Sequence, residues 1–317
     1  MVACQPGLVE KPARDGLPGL IRPKLARVPT LTDAHVQPET EWAARKLAHE
    51  QRVDELVRPH LARRREAVAH PVEDFLFTYY SYRPAQLRRW HPGIGVTLAG
   101  DPPHARWKGY ARTNAGTAVD PAHVERRTAT LRWVYDLLTA TASRPAFTGC
   151  LGLHEWAMVY RSREIRHGAW PLRLGPEGTD AVVDGHQIRC SHFDAYRFFT
   201  SPAMPRNTLR PSRDRQLELE QPGCLHANMD VYKWAYKLIP MVPSELVVDA
   251  FELAREIREL DMRASPYDLS SLGYSPVRIE TADGKREYAT AQRAFAERAA
   301  PLRERLRNAL EPVVAGP

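Results

Sequence analysis

The chain has few cysteines, and they are not spaced as ligands of a zinc ribbon. Cys4, Cys150, Cys190 and Cys224 lie far apart and none belongs to a Cys-x-x-Cys pair, which favours reduced thiols in a cytoplasmic protein. No apolar run approaches the roughly 20 residues that a membrane-spanning helix needs. The first residues also lack the basic segment and apolar core of a signal peptide. We therefore expect a soluble, cytoplasmic protein with no membrane partner.

Sequence motifs of several common enzyme classes are missing as well. The chain contains no GxxxxGK[ST] phosphate loop, no GxGxxG turn after a strand, no HExxH zinc helix and no GxSxG nucleophile elbow. Phosphate-loop enzymes, Rossmann oxidoreductases, thermolysin-like proteases and α/β-hydrolases therefore have no motif support.

The charge balance is basic. Lys and Arg number 45 against 38 Asp and Glu, with 12 His and a formal net charge of +7. Such a surplus fits an anionic partner, DNA above all. The alternative is an arginine-rich surface that reflects codon usage in a GC-biased genome, with no role in contacting phosphate.

The length of 317 residues allows one large domain or two. No shift of composition divides the chain beyond residue 37, so we expect a single domain at residues 38–317. Residues 1–37 carry five prolines and no sustained periodicity, and they predict a flexible N-terminal arm.

Helical periodicity dominates the rest of the chain. Helices are expected at about residues 40–61, 70–82, 121–142, 149–161, 225–238, 244–260 and 288–310. Residues 181–190 are expected to form a hairpin around Asp184-Gly185, residues 277–280 another strand, and the Gly- and Pro-rich residues 90–120 an irregular segment. The sum is a mainly α fold, one helical domain with one or two small β-hairpins.

Residues 223–238 (GCLHANMDVYKWAYKL) hold the densest set of functional groups. On a continuous helix, His226, Asp230 and Lys233 share one face at i, i+4 and i+7. The alternative has Asn228 as the N-cap, with His226 in the preceding loop.

Histidines and carboxylates recur on the aromatic-rich segments, and together they are candidate metal ligands. They are Glu73, His154, Glu155, His192, Asp194, His226 and Asp230. Imidazole and carboxylate groups on facing helices suit iron or manganese, which predicts a metal-dependent, oxygenase-like helical enzyme acting on a small molecule. The spacing is only partly right, because there is no Glu-x-x-His pair and adjacent His154 and Glu155 should diverge on a helix. Ser191 and Asp194 also have the spacing of a capping box.

The same segments support a base-cleaving enzyme. Aromatic rings can stack an extruded base, and a carboxylate can orient water and stabilise positive charge on the sugar. Asp230 or Glu155 would act as that carboxylate, with His226 and His154 as further catalytic candidates. The candidate substrate-binding residues are Trp156, Tyr160, Tyr232 and Lys233. Core packing is the alternative role for the rings.

Residues 91–97 (HPGIGVT) invite comparison with the helix-hairpin-helix loop of many DNA glycosylases. Pro102 and Pro103 break the following segment too early for a normal helix. Asp120 lies downstream, where a catalytic aspartate would stand, and it also suits the N-cap of a helix that starts at Pro121.

Four strings together resemble a largely actinobacterial family whose members are commonly labelled 3-methyladenine DNA glycosylase. They are residues 70–76 (HPVEDFL), 152–161 (GLHEWAMVYR), 190–194 (CSHFD) and 223–230 (GCLHANMD), and the resemblance covers about residues 40–312. It implies a DNA-repair N-glycosidase that removes alkylated purines without a cofactor. A basic DNA-binding or scaffold protein without catalysis is the third interpretation.

Overall fold

The computed structural model describes residues 35–162 and 169–314. Twelve α-helices, three short 3-10 helices and one small sheet account for the regular structure of these residues, so the predicted mainly α fold is confirmed. None of the helices in the described ranges combines the length and the apolar character that crossing a bilayer requires.

The elements follow one another along the chain in a largely helical order. The helices are α1 (Glu39–Arg65), α2 (Phe75–Tyr79), α3 (Pro84–Leu87), α4 (Pro121–Glu125), α5 (Thr128–Ala142), α6 (Leu153–Ala157), α7 (Gly175–Asp184), α8 (Phe193–Tyr196), α9 (Gln216–Leu219), α10 (Leu225–Lys237), α11 (Ser244–Arg263) and α12 (Ala282–Val314). The strands are β1 (His35–Gln37), β2 (Val96–Leu98), β3 (Tyr110–Thr113) and β4 (Gly116–Val119).

Three of the four strands lie within residues 90–120, where the sequence predicted an irregular segment. The sheet order is β1-β2-β4-β3, with β1 parallel to β2 and the other pairs antiparallel. Gly116 is required at the hairpin, because a Cβ there would lie 2.2 Å from the Leu98 carbonyl oxygen. The strands are only three or four residues long, which is too short for an alternating apolar pattern to predict them.

The predicted N-terminal arm is only partly covered by the described residues. His35–Gln37, its last three residues, form β1 and pair with Val96–Leu98. Residues 1–34 lie outside the described residues.

Three long helices form the centre of the core. Helices α10, α11 and α12 pack against one another, and α5 packs against α12. Helix α10 is buried on almost every side: Met229 and Tyr232 are inaccessible, and so are Phe251 of α11 and Leu306 of α12. The polar side chains of α10 are therefore also enclosed, and each needs a partner inside the protein.

Several predicted element boundaries and types are wrong. Residues 175–184 form helix α7, because Val182 and Val183 pack into the core as part of a helical face and do not alternate as in a strand. No strand forms at residues 277–280. Helix α1 continues beyond its predicted end at residue 61 to Arg65 and contains Pro59, and its buried stripe includes Val57 and His60.

Three further predicted helices are shorter than expected. Of residues 70–82, only Phe75–Tyr79 is helical. The helix predicted at residues 121–142 is interrupted between α4 and α5, and only Leu153–Ala157 is helical within residues 149–161. Asp120 accepts a hydrogen bond from the Ala122 N–H at 2.9 Å, so its role in the fold is that of an N-cap.

Candidate metal centre

Three helices bring a first group of ligand atoms together. His154 and Glu155 come from α6, His226 from the first turn of α10, and Asp261 from the last turn of α11. One ligand atom from each side chain lies within 4.8 Å of all the others. Helix α6 can start this close to α11 and α12 because Gly152, with φ of 72°, packs against Ala264 and Tyr288.

Hydrogen bonds fix the geometry of this first group. His154 Nε2 lies 2.8 Å from Asp261 Oδ1. Arg258 Nη1 donates to Asp261 Oδ2 at 3.0 Å and to Glu155 Oε1 at 3.2 Å. Arg258 is itself buried, with its guanidinium 3.9 Å from the centre of the Phe75 ring. One cation thus holds two carboxylates in place.

The second group consists of His192, Glu220 and Asp230, which are all buried. His192 Nε2 lies 3.3 Å from Asp230 Oδ2 and 3.5 Å from Glu220 Oε1. Asp230 also accepts hydrogen bonds from Lys233 Nζ at 2.6 Å and from the Tyr80 hydroxyl at 3.0 Å. This carboxylate is the most heavily bonded group of the cluster.

His226 connects the two groups. Its ring centre lies 4.4 Å from that of His154 and 5.3 Å from that of His192. Burial lowers the pKa of His226 to about 3, so the ring is neutral. Among the described residues, no group hydrogen-bonds to either of its ring nitrogens. A neutral imidazole with an unused electron pair is the form in which histidine binds a metal.

Opposite charges perturb the other groups of the cluster. Burial alone would lower the pKa of His154 and of His192, but Asp261 raises the first and Asp230 the second. Burial would raise the pKa of Asp230, yet Lys233 and His192 hold it well below its usual range. For Glu155 and Glu220, burial prevails and raises the pKa. Four of these five groups, all but Asp230, therefore hold a proton more readily than they would in water.

A count of charges leads to the same conclusion. Three of the four carboxylates pair with a cation: Glu155 and Asp261 with Arg258, and Asp230 with Lys233, which also pairs with Asp194. If all three imidazoles were neutral, two negative charges would remain inside the protein. Burying uncompensated charge is costly, and protons on His154 and His192, whose pKa values are raised, or bound cations would offset it.

The space beside the cluster is small. A cavity of about 10 Å³ borders His154, His226 and the unpaired thiols of Cys150 and Cys190. This volume suits one water molecule or an ion. It is far too small for a purine in the described conformation.

Five of the seven predicted ligands take part in the two groups: His154, Glu155, His192, His226 and Asp230. Asp194 is linked to the cluster through Lys233 Nζ at 2.7 Å. Glu73 lies elsewhere and accepts a hydrogen bond from Arg255 at 2.9 Å. His154 and Glu155 converge although they are adjacent, because both side chains reach the Asp261–Arg258 pair.

The capping alternatives predicted for Ser191 with Asp194 and for Asn228 are wrong. Helix α8 starts at Phe193 without any side-chain cap, and Asp194 pairs with Lys233. Helix α10 starts at Leu225, so Asn228 lies within it and His226 and Asp230 share a helix.

Asp261, Glu220 and Arg258 were not predicted. Asp261 could have been identified from its position four residues after Ile257, because this spacing places it on the apolar stripe of α11. Arg258 follows Ala254 in the same way. Glu220 lies in a polar segment, and nothing in its local sequence distinguishes it.

The predicted substrate-binding side chains are enclosed. Trp156 and Tyr232 have no accessible surface, and Tyr160 is 1% exposed. Trp156 Nε1 donates to the Ala264 carbonyl at 2.8 Å, and the Tyr160 hydroxyl donates to Asp184 at 2.7 Å. Lys233 is 7% exposed, and its ammonium group forms ion pairs with Asp194 and Asp230. In this conformation none of the three rings offers a face to an extruded base.

We compared the chain with family models, with curated proteins and with solved structures. No family model matches the chain, and neither does a curated protein or a solved structure.

Proposed function

We propose that this protein is a metal-dependent enzyme that holds iron or manganese among its helices and acts on a small molecule. The observation that carries the proposal is the convergence of three histidines and four carboxylates in two adjoining buried groups. Imidazole and carboxylate ligands together suit iron and manganese.

The spacing of the ligand atoms fits this proposal. Two ligands bound to one ion at about 2.0–2.3 Å are at most about 4.6 Å apart. The atoms of each group lie within 4.8 Å of one another, so small side-chain movements would suffice. His154, Glu155, His226 and Asp261 would hold one ion, and His192, Glu220 and Asp230 would hold a second.

The surrounding residues would tune such a centre. Arg258 and Lys233 orient the carboxylates, as outer partners commonly do around metal ligands. A bound iron or manganese ion would supply Lewis acidity and, with a suitable co-substrate, one-electron chemistry. In the described conformation the cavity admits only water or molecules of similar size, so the proposed substrate is of that size.

The test is metal analysis of protein that has been purified without chelators. We expect about one to two equivalents of iron or manganese per chain after reconstitution with the divalent ions. The variant His226→Gln should lose at least one equivalent. Replacing the His226 ring should disturb the fold little, because none of the described residues forms a hydrogen bond to it.

His104→Gln is the matched control. His104 is also buried, but it lies outside both ligand groups, and its Nε2 lies 2.8 Å from the Trp90 carbonyl oxygen. Its metal content should equal that of the wild type. Negligible metal in reconstituted wild-type protein, or an equal loss in both variants, would refute the proposal.

The glycosylase hypothesis stays a prediction, and DNA stays a candidate partner. It rests on the family resemblance and the basic charge. The geometry favours it less, since Asp230 and Glu155 are tied into ion pairs in the interior and the cavity beside them cannot admit a base.

A further inference from the structure

A second, much larger concavity opens on the surface, away from the buried cluster. It has a volume of about 530 Å³, which is within the range of small-molecule sites. Its walls come from α3 with the segment after it, the short 3-10 helix Pro103–Arg106 with the residues after it, helix α4, the junction between α4 and α5 at Arg127, and the C-terminal end of α10. Five separate parts of the chain therefore shape one cleft.

The charge of this cleft is of one sign. Four cationic side chains line it, Arg89, Arg106, Lys108 and Arg127, and no Asp or Glu is among its described lining residues. None of the four forms an ion pair within residues 35–162 and 169–314. Elsewhere on the surface, by contrast, Arg112 of β3 pairs with Asp101.

Arg127 is held in a defined position. Its guanidinium donates to the carbonyls of Lys237 at 2.6 Å and Ile239 at 3.3 Å. The side chain is half-buried, and burial lowers its pKa. Among the described residues its partners are these carbonyls, and no carboxylate pairs with it. Nearby, His123 Nε2 is buried and has no hydrogen-bond partner among the described residues.

Aromatic rings complete the lining. Trp107 is half-buried and lies 5.7 Å from the Arg89 guanidinium, measured to the ring centre. Tyr82 and Tyr236 stack on each other with ring centres 4.6 Å apart. Planar rings next to unpaired cations are the combination that binds a base and its phosphate.

We infer that this cleft binds a free mononucleotide or a similarly sized phosphate ester with a planar ring. The phosphate would contact Arg106, Lys108 and Arg127, and the ring would lie against Trp107 or Tyr236. The lining offers no carboxylate, so the inference is one of binding and assigns no hydrolytic step to the cleft.

This inference does not depend on the metal centre, although the two regions are connected. Tyr236 lines the cleft and donates to the Tyr80 carbonyl at 2.7 Å, and the Tyr80 hydroxyl donates to Asp230. None of the residues that line the cleft belongs to either ligand group, so nucleotide binding should persist in a metal-free, chelator-treated protein. Failure of one proposal would leave the other standing.

The experiment is calorimetric titration of the full-length protein with AMP, adenosine and ribose 5-phosphate, in the presence of a chelator. We expect AMP to bind, and each fragment to bind at least about tenfold more weakly, because it lacks the ring or the phosphate. The double variant Arg106→Gln/Lys108→Gln should weaken AMP binding about tenfold or more, through loss of two charges near the phosphate. Both side chains are exposed, so the fold should be unaffected.

Arg58→Gln/Arg65→Gln on α1 is the matched control. It removes the same charge at two exposed positions outside the cleft and should change the dissociation constant less than about twofold. The inference is wrong if AMP fails to bind at millimolar concentration, if ribose 5-phosphate binds as well as AMP, or if both double variants lose affinity equally. It is also wrong if a single-stranded oligoadenylate binds far more tightly per nucleotide than AMP, which would make the cleft part of a nucleic-acid surface.

Discussion

At the scale of single residues, Asp230 shows how a buried carboxylate is kept ionised. Lys233, His192 and Tyr80 all contact its two oxygens, and its pKa is lowered despite complete burial. Hydrogen bonds to charged groups contribute about 1.5–3 kcal/mol to stability. Removing a group that donates to Asp230 should therefore lower the free energy of unfolding more than removing a similar group that does not.

Two neighbouring tyrosines allow that difference to be measured. Tyr80 donates to Asp230, whereas the buried Tyr232 hydroxyl has no partner among the described residues. Tyr80→Phe should lower the free energy of unfolding by about 1.5–3 kcal/mol. Tyr232→Phe should leave it unchanged or raise it, because an unpaired hydroxyl is removed. Urea unfolding of both variants is the measurement, and equal losses would show that the Tyr80 hydroxyl does not stabilise Asp230.

At the scale of elements, the entry to α10 depends on one glycine. Gly223 donates its N–H to Gln221 Oε1 at 2.7 Å, and its carbonyl accepts from Gln292 of α12 at 2.6 Å. A Cβ on this residue would lie 2.6 Å from the Phe147 carbonyl oxygen. The start of α10 thus packs directly against the backbone of the segment before α6.

Gly223→Ala should push these two backbone segments apart. We expect a loss of about 1–3 kcal/mol in the free energy of unfolding, the usual cost of overpacking. Gly185→Ala is the control: Gly185 has φ of −79° and the nearest atom would lie 3.3 Å from the added Cβ. Thermal unfolding should separate the two variants, and a fully stable Gly223→Ala protein would contradict this description of the contact.

The sequence predicted the long elements better than the short ones. Helices α10, α11 and α12 have sustained apolar stripes, and their existence could be read from periodicity alone. The apolar run of Val182 and Val183 fits a helix or a strand, and local pattern does not decide between them. The four strands are short and pair across long stretches of chain, so their partners are not encoded locally.

The candidate site could be predicted in part for the same reason. His226 and Asp230 share a helix, and that relation follows from their spacing. The contact between His154 and Asp261 joins residues 107 positions apart, and only the packing of α6 on α11 creates it. Periodicity marks Asp261 as a charge on an apolar stripe, but it does not identify its partner.

At the scale of the whole molecule, two regions of opposite charge stand apart. The interior holds a carboxylate-rich cluster enclosed by α6, α10 and α11, while the surface cleft is lined by cations without ion pairs. The net charge of +7 therefore says little about the centre of the protein. Separate chemistry in each region is consistent with an enclosed metal centre and a surface site for an anionic ligand.

The most direct test of the metal centre is anomalous X-ray diffraction from crystals reconstituted with Fe(II) or Mn(II). Data collected at the absorption edge of each metal would locate the bound ions. We predict an anomalous peak about 2.0–2.3 Å from ligand atoms of His226 and Asp261. An ordered cluster without such a peak, in which His154 keeps its 2.8 Å hydrogen bond to Asp261, would contradict the account.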